Sequence, residues 1–342
     1  MKSQSVFLLS KSKLNEQYNK ITPLADQISF SLKTNPEVAK VLEKQTKCNF
    51  SVHSYQLLKQ ISNKDRVLFF AQAWDFDELD ELQLEGINKF VVDNKADLDI
   101  LLEYIKENEM PIQLLLRMRL KENTVHTGKH FVFGMKADEV NELIPILKNN
   151  PLIKKIGVHF HRKSQNISEW SLKDEMKEAL EESTLQKIDI LNIGGGLPIT
   201  YKNSHPTLEP IFDEIKKLKS WLSNYNIQLV LEPGRFLSGP PIKLQTTIKN
   251  IYKDNIIIDA SIYNTAVDTF ASHVRLELES EDDSGTPFTI KGSTPCSLDI
   301  FRYRVYLNDP KPGDKITFKN AGAYNFKTDF CGLEKVNTIV VD

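Results

Sequence analysis

The sequence predicts an α/β fold, in which a (β/α)8 TIM-type barrel is followed by a C-terminal all-β domain. Eight short apolar segments alternate with helical segments through the first two-thirds of the chain, which is the pattern of a closed barrel. Polar residues with evident chemistry stand where these segments end, at the edge where such barrels hold their active sites. In chain order the segments are QISFSLK, CNFSV, RVLFFAQ, KFVVDN, IQLLLRMRL, IKKIGVHFH, KIDILNIGGG and IQLVLEPGR.

Helix signals fall between these strands. The Asn-Pro pair at residues 35–36 starts one helix, because proline is favoured at the first helical position, and Val38, Val41 and Leu42 form its apolar face. A second helix is predicted over residues 95–106, where leucine and isoleucine recur at the spacing of a buried stripe. Both helices support the strand–helix alternation on which the barrel prediction rests.

The barrel is predicted to span residues 26–238, and the rhythm of the sequence changes after the Ser-Gly-Pro-Pro segment at residues 238–241. Short β-rich segments separated by turn residues follow, so residues 239–342 are predicted to form a second, all-β domain. The opening SVFLLS is also a predicted strand, although it precedes the first barrel unit. Residues 1–25 are therefore expected to join the C-terminal sheet.

Composition and charge are those of an ordinary soluble protein. Of the 342 residues, 40% are hydrophobic and 26% are charged, and the net charge of −2 gives no electrostatic case for binding nucleic acid. No apolar run approaches the roughly 20 residues that a membrane span needs, and the N-terminus lacks the features of a cleaved signal. Three cysteines without close spacing argue against a disulfide framework or a zinc site. We therefore expect a cytoplasmic protein with neither nucleic-acid nor membrane partners.

A lysine ends the first barrel segment. Lys33 closes QISFSLK and is followed by Thr-Asn-Pro, so its ammonium is expected at the barrel mouth. One interpretation is a lysine that snorkels from a strand end toward solvent. The other is a lysine whose pKa is lowered by burial, so that its amine forms a Schiff base with an aldehyde cofactor. The position of the residue alone leaves both interpretations open.

Two further motifs follow the seventh and eighth strands. NIGGGLP places three glycines, residues 194–196, where backbone N–H groups could approach a phosphate closely, although tight turns also use glycine. LEPGR places Glu232 in the mouth, where it is either a salt-bridge partner or the carboxylate that keeps a pyridinium nitrogen protonated. Gly234 and Arg235 would then complete the phosphate site beside the glycines.

The sixth strand carries two histidines. His159 and His161 alternate along it, so both face the same way, and such a pair can bind a metal. No carboxylate or cysteine cluster nearby in the sequence supports a metal site, so none is predicted. The favoured interpretation is one imidazole stacked on an aromatic cofactor, with Ser164 just beyond it in contact with phosphate.

Taken together, these motifs resemble those of the fold-type III pyridoxal-phosphate decarboxylases, the group of the ornithine, diaminopimelate, arginine and carboxynorspermidine decarboxylases. The similarity rests on FSLKTNP, GVHFHRKSQ, NIGGGLP, LEPGR, GSTPCSLD and NAGAYNF, and it covers nearly the whole chain in the family's order. The resemblance implies a barrel of the alanine-racemase type with a second β domain. It also implies pyridoxal 5'-phosphate as cofactor and a homodimer with shared active sites.

The resemblance assigns roles to individual residues. Lys33 matches the Schiff-base lysine, His161 the histidine that packs against the cofactor ring, and Glu232 the carboxylate that faces the pyridine nitrogen. The contacts expected at the cofactor phosphate or close to it are Ser164, Gly194, Gly195, Gly196, Gly234, Arg235 and Tyr324. These residues form the predicted cofactor site.

The C-terminal motifs depart from the family pattern. The family's catalytic cysteine stands four residues before an aspartate, but four residues before Asp299 is Pro295, and the cysteine, Cys296, follows one place later. Either the loop shifts by one residue so that Cys296, supplied by the partner subunit, still donates the proton, or that role has moved to another group. Alternatively, Cys296 is an ordinary small buried residue. Further on, Cys331 occupies an asparagine position of the family.

Two other departures concern the substrate. Several family members carry an aspartate where the second strand of this chain ends FSVHS, so Ser51 or His53 changes that contact. Asp268 lies nine residues after Asp259, a spacing closer to the carboxynorspermidine branch than to the ornithine one. Asp268 and Asp299 are expected to bind the distal ammonium of a diamino acid, while a structural role in a β domain stays open for both.

The expected activity is decarboxylation of a basic L-amino acid or of a carboxylated polyamine precursor, in polyamine or amino-acid metabolism. Lys33 would hold the cofactor, and Cys296 or Lys33 would return a proton to Cα. An amino-acid racemase of the same fold is the main alternative, but such enzymes place an arginine near the pyridine nitrogen where this chain has Glu232. A non-catalytic pyridoxal-phosphate carrier and a metal-dependent barrel hydrolase are weaker alternatives.

Overall fold

Eight parallel strands close into the predicted barrel. The computed structural model describes residues 5–70, 72–120 and 133–342. In chain order its strands are β1 (Val6–Ser10), β2 (Gln27–Ser31), β3 (Asn49–Val52), β4 (Val67–Phe69), β5 (Lys89–Val92), β6 (Ile112–Arg117), β7 (Ile153–His159), β8 (Ile190–Asn192), β9 (Gln228–Leu231), β10 (Ile242–Tyr252), β11 (Asn255–Ile258), β12 (Thr286–Lys291), β13 (Ile300–Leu307), β14 (Lys315–Phe318) and β15 (Thr338–Val341). Strands β2 to β9 pair in sequence order, and β9 returns to pair with β2, so the barrel is closed.

The described helices lie mainly between the barrel strands. They are α1 (Lys11–Ile21), α2 (Pro36–Gln45), α3 (Tyr55–Leu58), α4 (Phe76–Leu84), α5 (Lys95–Glu107), α6 (Ala137–Leu147), α7 (Leu172–Ala179), α8 (Glu182–Leu185), α9 (Glu209–Leu222), α10 (Arg235–Ser238), α11 (Ile262–Thr265) and α12 (Val267–Ala271). None of them combines the length and the apolarity that crossing a membrane requires.

The two helices predicted from local signals are confirmed. Helix α2 begins at Pro36, and the side chain of Asn35 caps it by accepting hydrogen bonds from the N–H groups of Glu37 and Val38. Helix α5 follows Asn94, which caps it in the same way, and buries most of the predicted stripe. The α2 cap matters for function because it fixes the chain directly after Lys33.

The interior of the barrel is filled by aliphatic side chains. Leu68, Val91, Leu115, Ile190 and Val230 form one buried cluster, and they come from β4, β5, β6, β8 and β9. Residues from so many strands can meet only inside the barrel, where layers of branched side chains normally pack. The barrel is therefore a packed core, and its chemistry is confined to the strand ends.

A mixed seven-stranded sheet forms outside the barrel. Its strand order is β13-β12-β11-β10-β1-β15, and β14 also pairs with β10. Strand β1 runs antiparallel to β10, with Phe7 opposite Leu244, and parallel to β15. The N-terminal strand thus pairs within the sheet built by the C-terminal part of the chain.

The chain divides into two compact units. The barrel unit comprises residues 20–197 and 207–233, and the sheet unit comprises residues 1–19, 198–206 and 234–342. This division assigns residues 198–206 and the turn at Arg235 to the sheet unit, although both lie inside the range predicted for the barrel. The predicted boundaries at residues 26 and 238 stay a prediction.

Candidate active site

Lys33 lies just after the first barrel strand, in a short turn formed by Leu32–Thr34. Its side chain is accessible, yet surrounding protein atoms desolvate it, as happens for a group inside a concave mouth. This desolvation lowers the pKa of the Lys33 amine; the Glu232 carboxylate opposes the shift and the Arg117 guanidinium adds to it. A lysine with a lowered pKa has a larger neutral, nucleophilic fraction than an ordinary surface lysine.

Glu232 follows β9 and is buried among hydrogen-bond donors from other strands. Its Oε1 accepts hydrogen bonds from Ser51 Oγ and Asn192 Nδ2, each at 2.8 Å, and its Oε2 lies 3.3 Å from His159 Nε2. Burial alone would raise the pKa of this carboxyl, but the contacts with His159 and Ser51 outweigh burial and hold the pKa well below its ordinary value. Glu232 is therefore a fixed negative charge at the barrel mouth.

Two other histidines near this carboxylate are neutral. Burial is the largest cause that lowers the pKa of both His53 and His161 to about 3. The Nδ1 atom of His161 accepts a hydrogen bond from the Gly195 N–H at 3.2 Å, and the residue is half-buried. A neutral, half-buried imidazole suits the predicted stacking on an aromatic ring.

The three glycines after β8 pass so close to other backbone that a side chain would collide. A Cβ on Gly194 would meet the carbonyl oxygen of Phe160 at 2.5 Å, and one on Gly195 would meet that of Glu232 at 2.7 Å. Gly194 and Gly196 also have positive φ angles, +65° and +109°, which favour glycine. The loop therefore requires glycine for packing alone, in addition to any role with phosphate.

Two donors of this loop are already engaged within the barrel unit. The Gly194 N–H donates to Asn192 Oδ1 at 2.9 Å, and the Gly195 N–H donates to His161 Nδ1. Ser164, the other residue expected at the phosphate, is exposed in the segment after β7. The loop therefore does not offer a full set of unused N–H groups to an anion.

Arg117, Asp93 and Phe70 are site residues that the sequence analysis did not single out. Arg117, at the end of β6, is buried and pairs with Asp93 at 2.8 Å. Its guanidinium lies 5.1 Å from the centre of the Phe70 ring, and that ring lies 5.3 Å from His53 and 5.4 Å from His159. The sequence feature that could have identified two of them is their position, since Asp93 and Arg117 are charged residues at the ends of mainly apolar strands.

The sheet unit brings Arg235 and Asp268 together in a buried ion pair. The Arg235 guanidinium bonds the Asp268 carboxylate and also donates to Tyr201 Oη at 2.7 Å. The rings of Tyr201 and Tyr324 lie 5.6 and 5.4 Å from the same guanidinium, and burial raises the pKa of Tyr201 to about 12. Arg235 was expected at a phosphate and Asp268 at a substrate ammonium. Each already uses part of its hydrogen-bonding capacity on the other.

Asp299 is buried, and both of its carboxylate oxygens are occupied by its own unit. Oδ1 accepts the N–H of Ile262 at 2.9 Å, and Oδ2 accepts the N–H and the hydroxyl of Thr294 at 3.1 and 2.6 Å. The residue is only 1% exposed. This geometry favours the structural alternative for Asp299 over contact with a substrate.

Cys296 is half-buried in the sheet unit, beside an aromatic hydroxyl. Its Sγ lies 3.3 Å from Tyr263 Oη. By comparison, Cys331 is exposed and Cys48 is buried in the barrel unit. The ordinary buried-cysteine interpretation therefore fits Cys48 better than Cys296.

The predicted residues fall into three groups, one in the barrel unit and two in the sheet unit. The barrel unit gathers Lys33, His161 and Glu232 with the glycine loop. The sheet unit gathers Arg235, Tyr324 and Asp268 in one cluster, and Cys296 and Asp299 around α11. Within the part of the chain that the structure describes, no group of histidine, cysteine and carboxylate side chains is arranged to hold a metal ion.

Comparison with known proteins adds a family relationship. A family model described as "Pyridoxal-dependent decarboxylase, pyridoxal binding domain" matches residues 11–239. The diaminopimelate decarboxylase of Buchnera aphidicola is 33% identical over 207 residues, which cover 53% of this chain and 49% of that protein. The 2-[(L-alanin-3-ylcarbamoyl)methyl]-2-hydroxybutanedioate decarboxylase of Staphylococcus aureus is 24% identical over 88% of this chain and 83% of that protein. The chain thus spans about half the length of the Buchnera relative.

Solved structures share the architecture. Diaminopimelate decarboxylase from Helicobacter pylori, complexed with L-lysine, superposes with a TM-score of 0.84 over 99% of this chain and 92% of that chain, at 18% sequence identity. At this identity the likeness shows the fold alone. It agrees with the barrel and the separate sheet described above.

Replacing His53 tests the neutral imidazole at the mouth. With a pKa of about 3 in the folded protein and about 6.5 in the unfolded chain, this side chain binds a proton only when the protein is unfolded between those pH values. The free energy of unfolding therefore falls as pH drops below about 6.5. From pH 7 to pH 5 we expect wild-type protein to lose about 2 kcal/mol more than His53→Gln in urea denaturation followed by circular dichroism.

His205→Gln is the matched control, because His205 is exposed. It should keep the wild-type dependence on pH. An equal dependence in wild type and His53→Gln would contradict a neutral, desolvated imidazole at this position.

Proposed function

Because the chain belongs to the family of pyridoxal-dependent decarboxylases, we propose that it removes the α-carboxylate of a basic L-amino acid or of a carboxylated polyamine precursor. The matched region, residues 11–239, contains every barrel residue of the candidate site. The observation that carries the proposal is the meeting of Lys33 and Glu232 at one barrel mouth, where the carboxylate acts on the pKa of the amine.

The cofactor of the family is pyridoxal phosphate, and the residues of the barrel mouth fit it. The glycine loop admits no side chains, because a Cβ on Gly194 or Gly195 would collide with backbone carbonyl oxygens. The buried Nδ1 atoms of His53 and His159 have no hydrogen-bond partner among the residues that the structure describes, which is unusual for buried polar atoms and points to a polar ligand. Lys33 supplies the amine that an aldehyde cofactor needs.

When bound, pyridoxal phosphate would supply the electron sink that loss of the substrate carboxylate as carbon dioxide needs. Lys33 holds the cofactor through its amine, and its lowered pKa favours the nucleophilic form. Glu232, kept ionised by its hydrogen-bond donors, holds a proton on the pyridine nitrogen. His161 offers a neutral ring for stacking, and Cys296 of a second subunit returns a proton to Cα.

For the phosphate, we propose the glycine loop and Ser164 of the barrel unit, and, from the sequence resemblance alone, Gly234, Arg235 and Tyr324 of the sheet unit. The N–H groups of Gly194 and Gly195 already have acceptors within the barrel unit. A guanidinium has five N–H donors, so Arg235 can bind Asp268 and Tyr201 and still donate to an anion. This sharing would make the phosphate contact depend on the ion pair.

For the distal ammonium of the substrate, we propose Asp268 before Asp299. A carboxylate has about four acceptor positions. The Arg235 guanidinium donates one hydrogen bond to each oxygen of Asp268, which leaves positions for a further donor. Asp299 is less suited because three hydrogen bonds from its own unit occupy its two oxygens. Recognition of a diamino acid would then rest on a carboxylate that is already paired with Arg235.

A racemase of the same fold is the second candidate, and Glu232 argues against it. A protonated pyridine nitrogen favours full delocalisation of negative charge away from Cα, which suits loss of carbon dioxide. The relatives named above are decarboxylases. From the resemblance we also propose a homodimer with shared sites that acts in polyamine or amino-acid metabolism. Three cysteines without close spacing support a reducing compartment, the cytoplasm.

A substrate screen tests the activity. The protein loaded with pyridoxal phosphate should release carbon dioxide from at least one of ornithine, lysine, arginine, diaminopimelate and carboxynorspermidine. Lys33→Ala should reduce the release to background, whereas Lys40→Ala, which changes an exposed lysine on α2, should leave it unchanged. Loss of optical rotation without release of carbon dioxide would instead support the racemase.

Glu232→Gln tests the fixed charge at the pyridine nitrogen. The amide keeps the size of the side chain but removes the negative charge, so we expect kcat to fall by ~10²–10³-fold while KM changes little. Glu107→Gln, an exposed change at the end of α5, is the control. Turnover equal to wild type in Glu232→Gln would remove Glu232 from the proposed chemistry.

A further inference from the structure

Tyr263 and Cys296 form a side-chain pair that the sequence analysis did not foresee. Tyr263 lies in α11, and its Oη is 3.3 Å from Cys296 Sγ. The ring of Phe330 packs on the Tyr263 ring with 4.3 Å between their centres and a tilt of 36°. Packing of the Tyr263 ring on Phe330 therefore helps to hold the Tyr263 hydroxyl next to Cys296 Sγ.

The shortened spacing between Cys296 and Asp299 explains why the two side chains meet. The Asp299 N–H donates to the Cys296 carbonyl oxygen at 3.1 Å, which closes a tight turn. The Asp299 carboxylate then accepts the N–H of Ile262, the residue directly before Tyr263. The two hydrogen bonds of Asp299 thus connect the turn at Cys296 to α11, and they place Cys296 Sγ next to the Tyr263 hydroxyl.

The chemistry of the pair favours a sulfur that loses its proton readily. A hydroxyl that donates a hydrogen bond to sulfur stabilises the thiolate more than the thiol. Accordingly, the contact with Tyr263 is the largest cause that lowers the pKa of Cys296. The same contact raises the pKa of Tyr263 to about 12, so the hydroxyl keeps its proton and can donate it in a hydrogen bond near neutral pH.

We propose that Tyr263 is a positioning residue for Cys296, which holds the sulfur in place and stabilises the thiolate that forms when Cys296 gives up its proton. This inference rests on the proposed function, in which the proton of Sγ moves to Cα of the substrate. The transfer leaves a negative charge on sulfur, which can only accept a hydrogen bond, so the Tyr263 hydroxyl at 3.3 Å becomes its donor. A proton donor works best when its pKa is close to the operating pH, and Tyr263 moves Cys296 in that direction.

The rate of thiol alkylation as a function of pH tests the pair without any catalytic assay. The probe is iodoacetamide on the full-length protein, and peptide mass spectrometry reports Cys296 and Cys331 separately in the same sample. Cys331 is exposed and serves as the internal reference. In wild type we expect Cys296 to reach half-maximal reactivity at a lower pH than the cysteine of an unstructured peptide.

Tyr263→Phe removes the hydroxyl but keeps the ring that packs on Phe330. We expect the reactivity profile of Cys296 to move to higher pH, because the thiolate loses a hydrogen-bond donor. Tyr303→Phe, at a tyrosine that is 54% exposed in the same unit, should alter neither profile. An unmoved Cys296 profile in folded Tyr263→Phe would overturn the inference. So would a wild-type Cys296 profile equal to that of the unstructured peptide, a result that needs no variant.

Decarboxylation separates this inference from the proposed function. If wild type releases carbon dioxide and Tyr263→Phe shifts the pH dependence of kcat upward with KM little changed, both stand. If no tested substrate loses carbon dioxide, the proposed function fails while the alkylation result still decides on the pair. If carbon dioxide is released but the Tyr263→Phe profiles match wild type, the role of Tyr263 fails alone.

Discussion

The negative charge of Glu232 is buried at the barrel mouth, and the arrangement of that mouth depends on it. A buried carboxylate is costly unless hydrogen-bond donors surround it. Ser51, Asn192 and His159 provide those donors from β3, β8 and β7, while Glu232 itself follows β9. Because closure of the barrel brings these strand ends together, the buried charge depends on the closed fold.

With this charge fixed, the surrounding groups take states that suit pyridoxal chemistry. Desolvation keeps His53 and His161 neutral and lowers the pKa of the Lys33 amine. One mouth therefore combines an anion, neutral rings and a nucleophilic amine. Perturbed groups that converge in this way mark functional sites more often than structural ones. The sheet unit contains another perturbed group, Cys296, whose pKa is lowered by its contact with Tyr263.

The barrel and the helix that begins at Pro36 could be predicted because they follow from local periodicity and turn chemistry. The family was recognisable from six short motifs, and the match over residues 11–239 confirms it. The partners of the site residues could not be predicted in this way. Glu232 contacts His159, which lies 73 residues away in the chain, and Arg235 contacts Asp268, 33 residues away. Such contacts depend on tertiary structure and leave no local pattern in the sequence.

The attachment point of the cofactor is the most direct measure of the central claim, that the barrel mouth holds pyridoxal phosphate through Lys33. Borohydride reduction of the loaded protein fixes the cofactor on its lysine, and peptide mass spectrometry then identifies that lysine. We predict the pyridoxyl group on Lys33, lost in Lys33→Ala and kept in Lys40→Ala. Attachment to a different lysine in wild type, or an adduct that persists at the barrel mouth in Lys33→Ala, would contradict the account.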